Sequence, residues 1–282
     1  MPNVSRRTFL GTAAGAASLA SLPAGLFGAA RKKIPIAVQL YSVRKNLQAD
    51  MAATLAGVKK IGYEAVEFAD YYAFANDAKG LRKLLDDNGL KVCGSHIYLN
   101  TIEGDALAKT VEFNQTIGNP NLVVRTLSAQ NTATADAWAK TAEEFNQIAA
   151  KLTPLKMNLG YHNHATEFVA IDGQIPWDIF VGKTNKNVYG QLDIGHCQRA
   201  GADPVVWLKK FPGRTVAIHV KDYSPTNRAA LIGEGTVKWA DVFEACETVA
   251  GTQWYIVEEE SNAYPDLTGI EKSLANLKKL LA

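Results

Sequence analysis

The sequence predicts an α/β protein built as a single (β/α)8 barrel, and three observations carry the prediction. From Ile34 onward, short apolar β-branched runs alternate with longer segments of helical spacing. The strand runs are nearly continuous in Val, Ile and Leu, which marks a parallel sheet covered on both faces. Roughly eight such units fit into about 250 residues, the repeat number and size of a barrel. An open doubly wound sheet is the competitor. It would carry a glycine-rich phosphate turn after its first strand, where this chain has LYSVRKN.

In chain order, IPIAVQLYSV reads as the first strand and MAATLAGVKKIG as the helix after it. YEAVEFA is the second strand, followed by LRKLLDDNGL, which has a helical apolar face and a Gly stop. KVCGSHIYL, NLVVRTLS and KMNLGYHNH are the next strands, separated by DALAKTVEFNQTIG and the long helix ATADAWAKTAEEFNQIAAKL. VYGQLDIGH, TVAIHVKDY and QWYIVEEE complete the set, with PVVWLKKFP and VKWADVFEACETVAG between them and GIEKSLANLKKLLA as a final helix. No Pro/Gly/Ser-rich linker divides the chain, so residues 31–282 read as one domain.

Residues 1–30 stand apart. Arg6 and Arg7 precede Phe9-Leu10 and a small-residue apolar stretch that ends in Gly28-Ala29-Ala30. A charged head, an apolar segment and a small-residue end describe a secretory signal of the twin-arginine type. The stretch is short for a membrane span. Cleavage is therefore expected over stable insertion, with the mature chain periplasmic or secreted. A net charge of only +2, with no basic run, argues against a nucleic-acid partner. Cys93, Cys197 and Cys246 are odd in number and far apart, which favours buried thiols over disulfides.

The chain has five histidines, and each falls at or near the C-terminal end of a predicted strand: His96, His162, His164, His196 and His219. In a barrel those ends converge on the face where active sites are built. Glu67, Asp193 and the run Glu258, Glu259, Glu260 fall at the same ends. Singly, each residue has an ordinary explanation as a cap or a satisfied polar group. Jointly, imidazoles and carboxylates on one rim suit one divalent transition ion, Mn, Fe, Co or Zn. Period-two spacing turns His162 and His164 to the same side of their strand. One is expected to ligate, the other to touch substrate or move a proton.

With those residues in view, the chain resembles the xylose-isomerase-like barrel superfamily, in its sugar phosphate isomerase/epimerase branch. LYSVR, GYEAVEF, GYHNH, LDIGH, HVKD, IGEGTVKW and the terminal VEEE carry the resemblance, in order, through the whole mature chain. It implies a metal held by His162, Asp193, His219 and Glu258. One departure stands out: His162 occupies the position where ketose epimerases carry a glutamate that also moves a proton.

The implied reaction removes the proton alpha to a sugar carbonyl through a metal-stabilised enediolate. Glu258, His164 and His196 are the candidate bases. Glu67 and Lys221 are expected to orient hydroxyls or stabilise an oxyanion, and His96, Glu167 and Arg125 to bind substrate. Reprotonation gives an isomerase or epimerase. The alternatives are β-elimination by a 3-keto-glycoside lyase and a non-catalytic sugar-binding barrel. A DNA-repair endonuclease is disfavoured by the near-neutral charge. The expected partner is a small, non-phosphorylated carbohydrate, with IGEGTVKW covering it, and a homo-oligomer is compatible with the sequence.

Overall fold

The computed structural model describes residues 33–265 and 267–282. The expected signal, residues 1–30, lies outside the described residues. Eight strands, β1 (Ile36–Gln39), β2 (Ala65–Phe68), β3 (Lys91–Ile97), β4 (Asn121–Val124), β5 (Asn158–His162), β6 (Val188–Asp193), β7 (Ala217–Val220) and β8 (Trp254–Val257), close into a barrel. Every neighbouring pair is parallel, and β8 returns to β1. The fold is the single (β/α)8 barrel that the alternating pattern predicts. Among the described residues, no helix is long and apolar enough to cross a membrane.

Alternation along each strand divides its side chains between two cores. One set, including Val38, Val66, Leu122, Leu159, Leu192, Ile218 and Val257, packs outward within the main apolar cluster. The other set turns inward. Its lower members, Ala37, Ala65, Cys93, Ala217 and Ile256, form a small apolar cluster of their own. Two residues further along, the same strands present Gln39, Glu67, His219 and Glu258, all buried. The barrel interior thus changes from apolar to ionisable over one inward step, towards the C-terminal ends of the strands.

Two close approaches require glycine. A Cβ on Gly94 would stand 2.6 Å from Glu67 Oε1, and one on Gly160 would stand 2.5 Å from the Tyr189 ring. The first leaves space for Glu67 beside the irregular β2–β3 register; the second lets Tyr189 lie across the inside of β5.

Several strands end earlier than their apolar runs suggest. LYSV forms a 3-10 turn because Gln39 Oε1 accepts the Tyr41 N–H at 3.0 Å and caps it. In LDIGH the strand stops at Asp193, which caps the short helix Ile194–Arg199. His196 therefore lies in the first turn of that helix rather than on the strand, a correction that brings it above β6.

The long helix Ala135–Leu152, capped by Thr134, packs on this wall through Trp138 and Phe145. Phe180 stands 4.9 Å from both the Phe145 and Tyr161 rings and is fully buried. Phe180→Ala is expected to destabilise the barrel by about 3–5 kcal/mol, through lost burial and the cavity left behind. Chemical denaturation of the variant and the parent checks this value.

Candidate metal centre

The ends of β5 to β8 bring His162, Asp193, His219 and Glu258 together, with one ligating atom of each within 4.8 Å of all the others. All four are buried. Local structure explains how each is aimed. Asp193 Oδ1 accepts the His196 N–H at 2.7 Å as the helix cap. This fixes the carboxylate and leaves Oδ2 buried with no hydrogen-bond partner. His219 Nδ1 and Lys221 Nζ are near it, at 3.8 and 3.7 Å, beyond hydrogen-bonding range. A buried carboxylate oxygen left in this way costs free energy unless a cation meets it. Two imidazole nitrogens and two carboxylates match the donors of a transition ion, so the residues fit the implied metal.

Beneath the four lies a hydrogen-bonded layer. His219 Nε2 contacts Glu67 Oε2 at 2.7 Å, which leaves Nδ1 facing the centre, 3.1 Å from Glu258 Oε2. His162 Nδ1 meets Gln191 Oε1 at 3.1 Å, which leaves Nε2 as its remaining ring nitrogen. Gln191 Oε1 also meets His96 Nε2 at 2.8 Å, while Gln191 Nε2 donates to Glu67 Oε1 at 2.6 Å. Gln39 Nε2 donates to the other oxygen of Glu67 at 2.7 Å. Outer partners of this kind set the tautomer and angle of ligating histidines.

Glu67 is fully buried with both oxygens engaged. It orients His219 and does not reach a substrate hydroxyl, contrary to the expectation from sequence. Gln39 and Gln191 escaped sequence reasoning. Their signal was present as a lone amide inside each of the apolar runs IAVQL and VYGQLD.

Electrostatics separate the two imidazoles. Burial pushes the His162 pKa well below its ordinary value, and the neighbouring His219 and His96 push it further. Burial also disfavours charge on His219, but Glu258 and Glu67 outweigh it and raise that pKa to about 10. Burial would raise the Glu258 pKa, yet Lys221 and His219 hold it well below the usual carboxylate range.

A second tier stands above the centre: His164, His196, Lys221 and Glu260. Lys221 Nζ donates to His196 Nε2 at 3.1 Å and to Glu258 Oε2 at 3.4 Å, and it also pairs with Glu260. Burial opposes the lysine charge, but Asp193, Glu258 and Glu260 raise its pKa. The His164 and His196 rings lie 5.0 Å apart. Burial, then His196, lowers the His164 pKa.

The HNH motif divides its labour. Asn163 Oδ1 accepts the Asp193 N–H at 2.9 Å and ties β5 to β6, while the two flanking histidines enter the site. Glu167 braces the same segment. It accepts from the Tyr161 hydroxyl at 2.6 Å and from the His164 N–H at 2.9 Å, and Thr166 donates to it at 3.0 Å. Both oxygens are thus engaged and the residue is buried, so Glu167 supports His164 instead of binding substrate.

A cavity of about 330 Å³ opens over His162, lined also by His96, Arg125, His164, Glu258 and Tyr41. Arg125 stacks on Tyr98 at 4.2 Å. The loop IGEGTVKW is held by Asp222, which accepts from the Gly233 and Val237 N–H groups and from Trp239 Nε1.

Comparison with known proteins agrees with this architecture. Residues 55–280 match the family described as xylose isomerase-like TIM barrel. An inosose dehydratase of Clostridium perfringens is 33% identical over 88 residues, 31% of this chain and 29% of that protein. The chain spans about half or less of the length of the curated relatives it matches. A sugar phosphate isomerase/epimerase from Parabacteroides distasonis superposes with a TM-score of 0.73 and 24% identity, over 89% of this chain and 96% of that one. The IolI protein with a bound zinc atom gives 0.70 at 13% identity, over 88% and 98%. Those two likenesses establish the fold. From the span of the family match, the chain belongs to the xylose isomerase-like TIM barrel family.

Proposed function

We propose that this barrel is a divalent-metal-dependent isomerase or epimerase of a small, non-phosphorylated carbohydrate, acting by removal of the proton alpha to a carbonyl. One observation carries the reading. Asp193 Oδ2 is buried and unpartnered among His162, His219 and Glu258, directly below a cavity bordered by proton-carrying side chains. That the IolI protein, which shares this fold, binds a zinc atom supports a divalent metal here. A bound divalent ion supplies Lewis acidity, which offsets negative charge on substrate oxygens as the proton leaves.

The chain's own groups do the rest. His164 is held uncharged by burial and by His196, lines the cavity, and has its backbone fixed by Glu167. It is the base we assign to proton removal. Lys221 keeps its charge through Asp193, Glu258 and Glu260, which suits it to stabilise an oxyanion, and its bond to His196 Nε2 orients His196, the group we assign to returning a proton. Arg125, Tyr41 and His96 border the cavity and hold substrate hydroxyls.

A specific observation favours a second reading, β-elimination. His162 stands at the end of β5, so the proton-carrying groups beside the centre collect on the arc of His164, His196 and Lys221. One-sided acid/base chemistry suits loss of a leaving group, and the partial similarity to an inosose dehydratase points the same way. Proton NMR of metal-loaded protein with keto-sugars in D2O decides between them. Solvent deuterium incorporated without loss of water or alcohol supports isomerisation or epimerisation. Release of water or alcohol selects elimination. Neither outcome, over a panel of keto-sugars, contradicts both.

Three expected outcomes follow from the site. Purified protein is expected to hold about one transition ion per chain, and Asp193→Asn or His219→Ala to lose it while unfolding cooperatively, as read by elemental analysis and calorimetry. Gln191→Leu is expected to weaken metal affinity by about 10–100-fold, because His162 loses its orienting partner; chelator competition measures this. His164→Phe is expected to keep the metal and lose about 10²–10⁴ in turnover, measured by steady-state kinetics on whichever substrate the NMR screen identifies.

A further inference from the structure

A second cavity, of about 460 Å³, lies beside the first, between the segments that follow β6, β7 and β8. The two share Glu258 and Glu260 as a common wall. Pockets for small ligands run from about 300 to 1,000 Å³, so each lobe alone has room for one small unit.

The second lobe is an open groove with a structured outer wall, and Arg199, Asn227 and Arg228 stand exposed at its rim. Its outer wall is the segment after β7, and Asp222 secures both ends: Oδ1 accepts the Tyr223 N–H at 2.8 Å, and Oδ2 accepts the Gly233 N–H at 2.7 Å and Trp239 Nε1 at 2.9 Å. Tyr264 adds a tie through its hydroxyl to the Ala229 carbonyl at 2.9 Å. Leu231 and Ile232, both buried, belong to its lining.

The chemistry of the lining narrows what the lobe takes. Asp222 is consumed by the wall, and Lys221 with Glu258 and Glu260 forms one cluster. Arg199 and Arg228 also line the lobe, and neither makes an ion pair or hydrogen bond among the described residues. Asn227 uses its carbonyl oxygen on the Ala229 N–H, which leaves its amide as a donor. Four acids in the lining, Asp222, Glu258, Glu259 and Glu260, outnumber its three cations, Arg199, Lys221 and Arg228, so no positive field selects an anion. Guanidinium and amide donors with no partner among the described residues, in a lining without net positive charge, suit the hydroxyl and ring oxygens of a carbohydrate.

The geometry points to a second sugar subsite in this lobe: the substrate has two linked units, one over the metal centre and one against Arg199 and Arg228. This rests on the metal centre being where the reacting unit sits. The measurement, however, needs no turnover. Metal-loaded full-length protein is titrated calorimetrically with unoxidised gluco-, galacto- and manno-configured monosaccharides and with their homodisaccharides of every linkage.

At least one disaccharide is expected to bind about tenfold or more tightly than its monosaccharide, the yield of one added charge-assisted hydrogen bond. Combined Arg199→Ala and Arg228→Ala substitution is expected to remove that gain and leave monosaccharide affinity unchanged. The subsite is overturned if no disaccharide exceeds its monosaccharide, or if the gain survives the double substitution. Turnover of monosaccharides without disaccharide preference would refute the subsite alone. A disaccharide gain alongside neither deuterium exchange nor elimination on any keto-sugar of the NMR panel would refute the proposed reaction alone.

Discussion

The buried carboxylate of Asp193 is the constraint on which the site depends. Its helix-capping bond to the His196 N–H holds one oxygen and sends the other, unpartnered, into the barrel. Glu67 and Glu258 are buried beside it, while Lys221 and a protonated His219 are the cations in contact. Three buried carboxylates against two cations leave negative charge in a low-dielectric interior, an arrangement that is costly without a further partner. A divalent ion that replaces the His219 proton brings this inner set to neutrality. The same ion would also meet Asp193 Oδ2.

The barrel delivers that charge through a vertical order. Alanines, Cys93 and Ile256 fill the lowest inward layer, where a larger polar group would find no partner. Gln39, Glu67, Gln191 and His96 form a bonded layer above it. The ligating atoms come next, and His164, His196, Lys221 and Glu260 face the cavities. Each step up is a step of two along a strand, except at β3, where the irregular register beside β2 sets His96 three residues after Cys93, and at β6, where the helical turn after Asp193 brings in His196. Function is thereby written on alternate residues, while the residues between them hold the barrel to its helices.

The fold was largely legible in the sequence because outward Val, Ile and Leu repeat on every strand. The meeting of histidines and carboxylates on one rim was legible for a related reason: all stand at strand ends, which a closed barrel must bring to one face, and the resemblance to a known family singled out His162, Asp193, His219 and Glu258 among them. Side-chain assignments beyond that depended on partners that spacing does not reveal. Glu67 and Glu167 read as substrate groups, yet Gln39, Gln191, Tyr161 and Thr166 consume their oxygens. Gln191 was hidden because a neutral amide in a strand carries no charge signal. Its role appears only when His96, His162 and Glu67, from three other strands, meet around it.

The most direct test of the central claim is anomalous diffraction from crystals grown with Mn²⁺ or Zn²⁺. One strong peak is expected in contact with His162, Asp193 Oδ2, His219 Nδ1 and Glu258. A peak that avoids Asp193 Oδ2, or no peak at saturating metal, would contradict it.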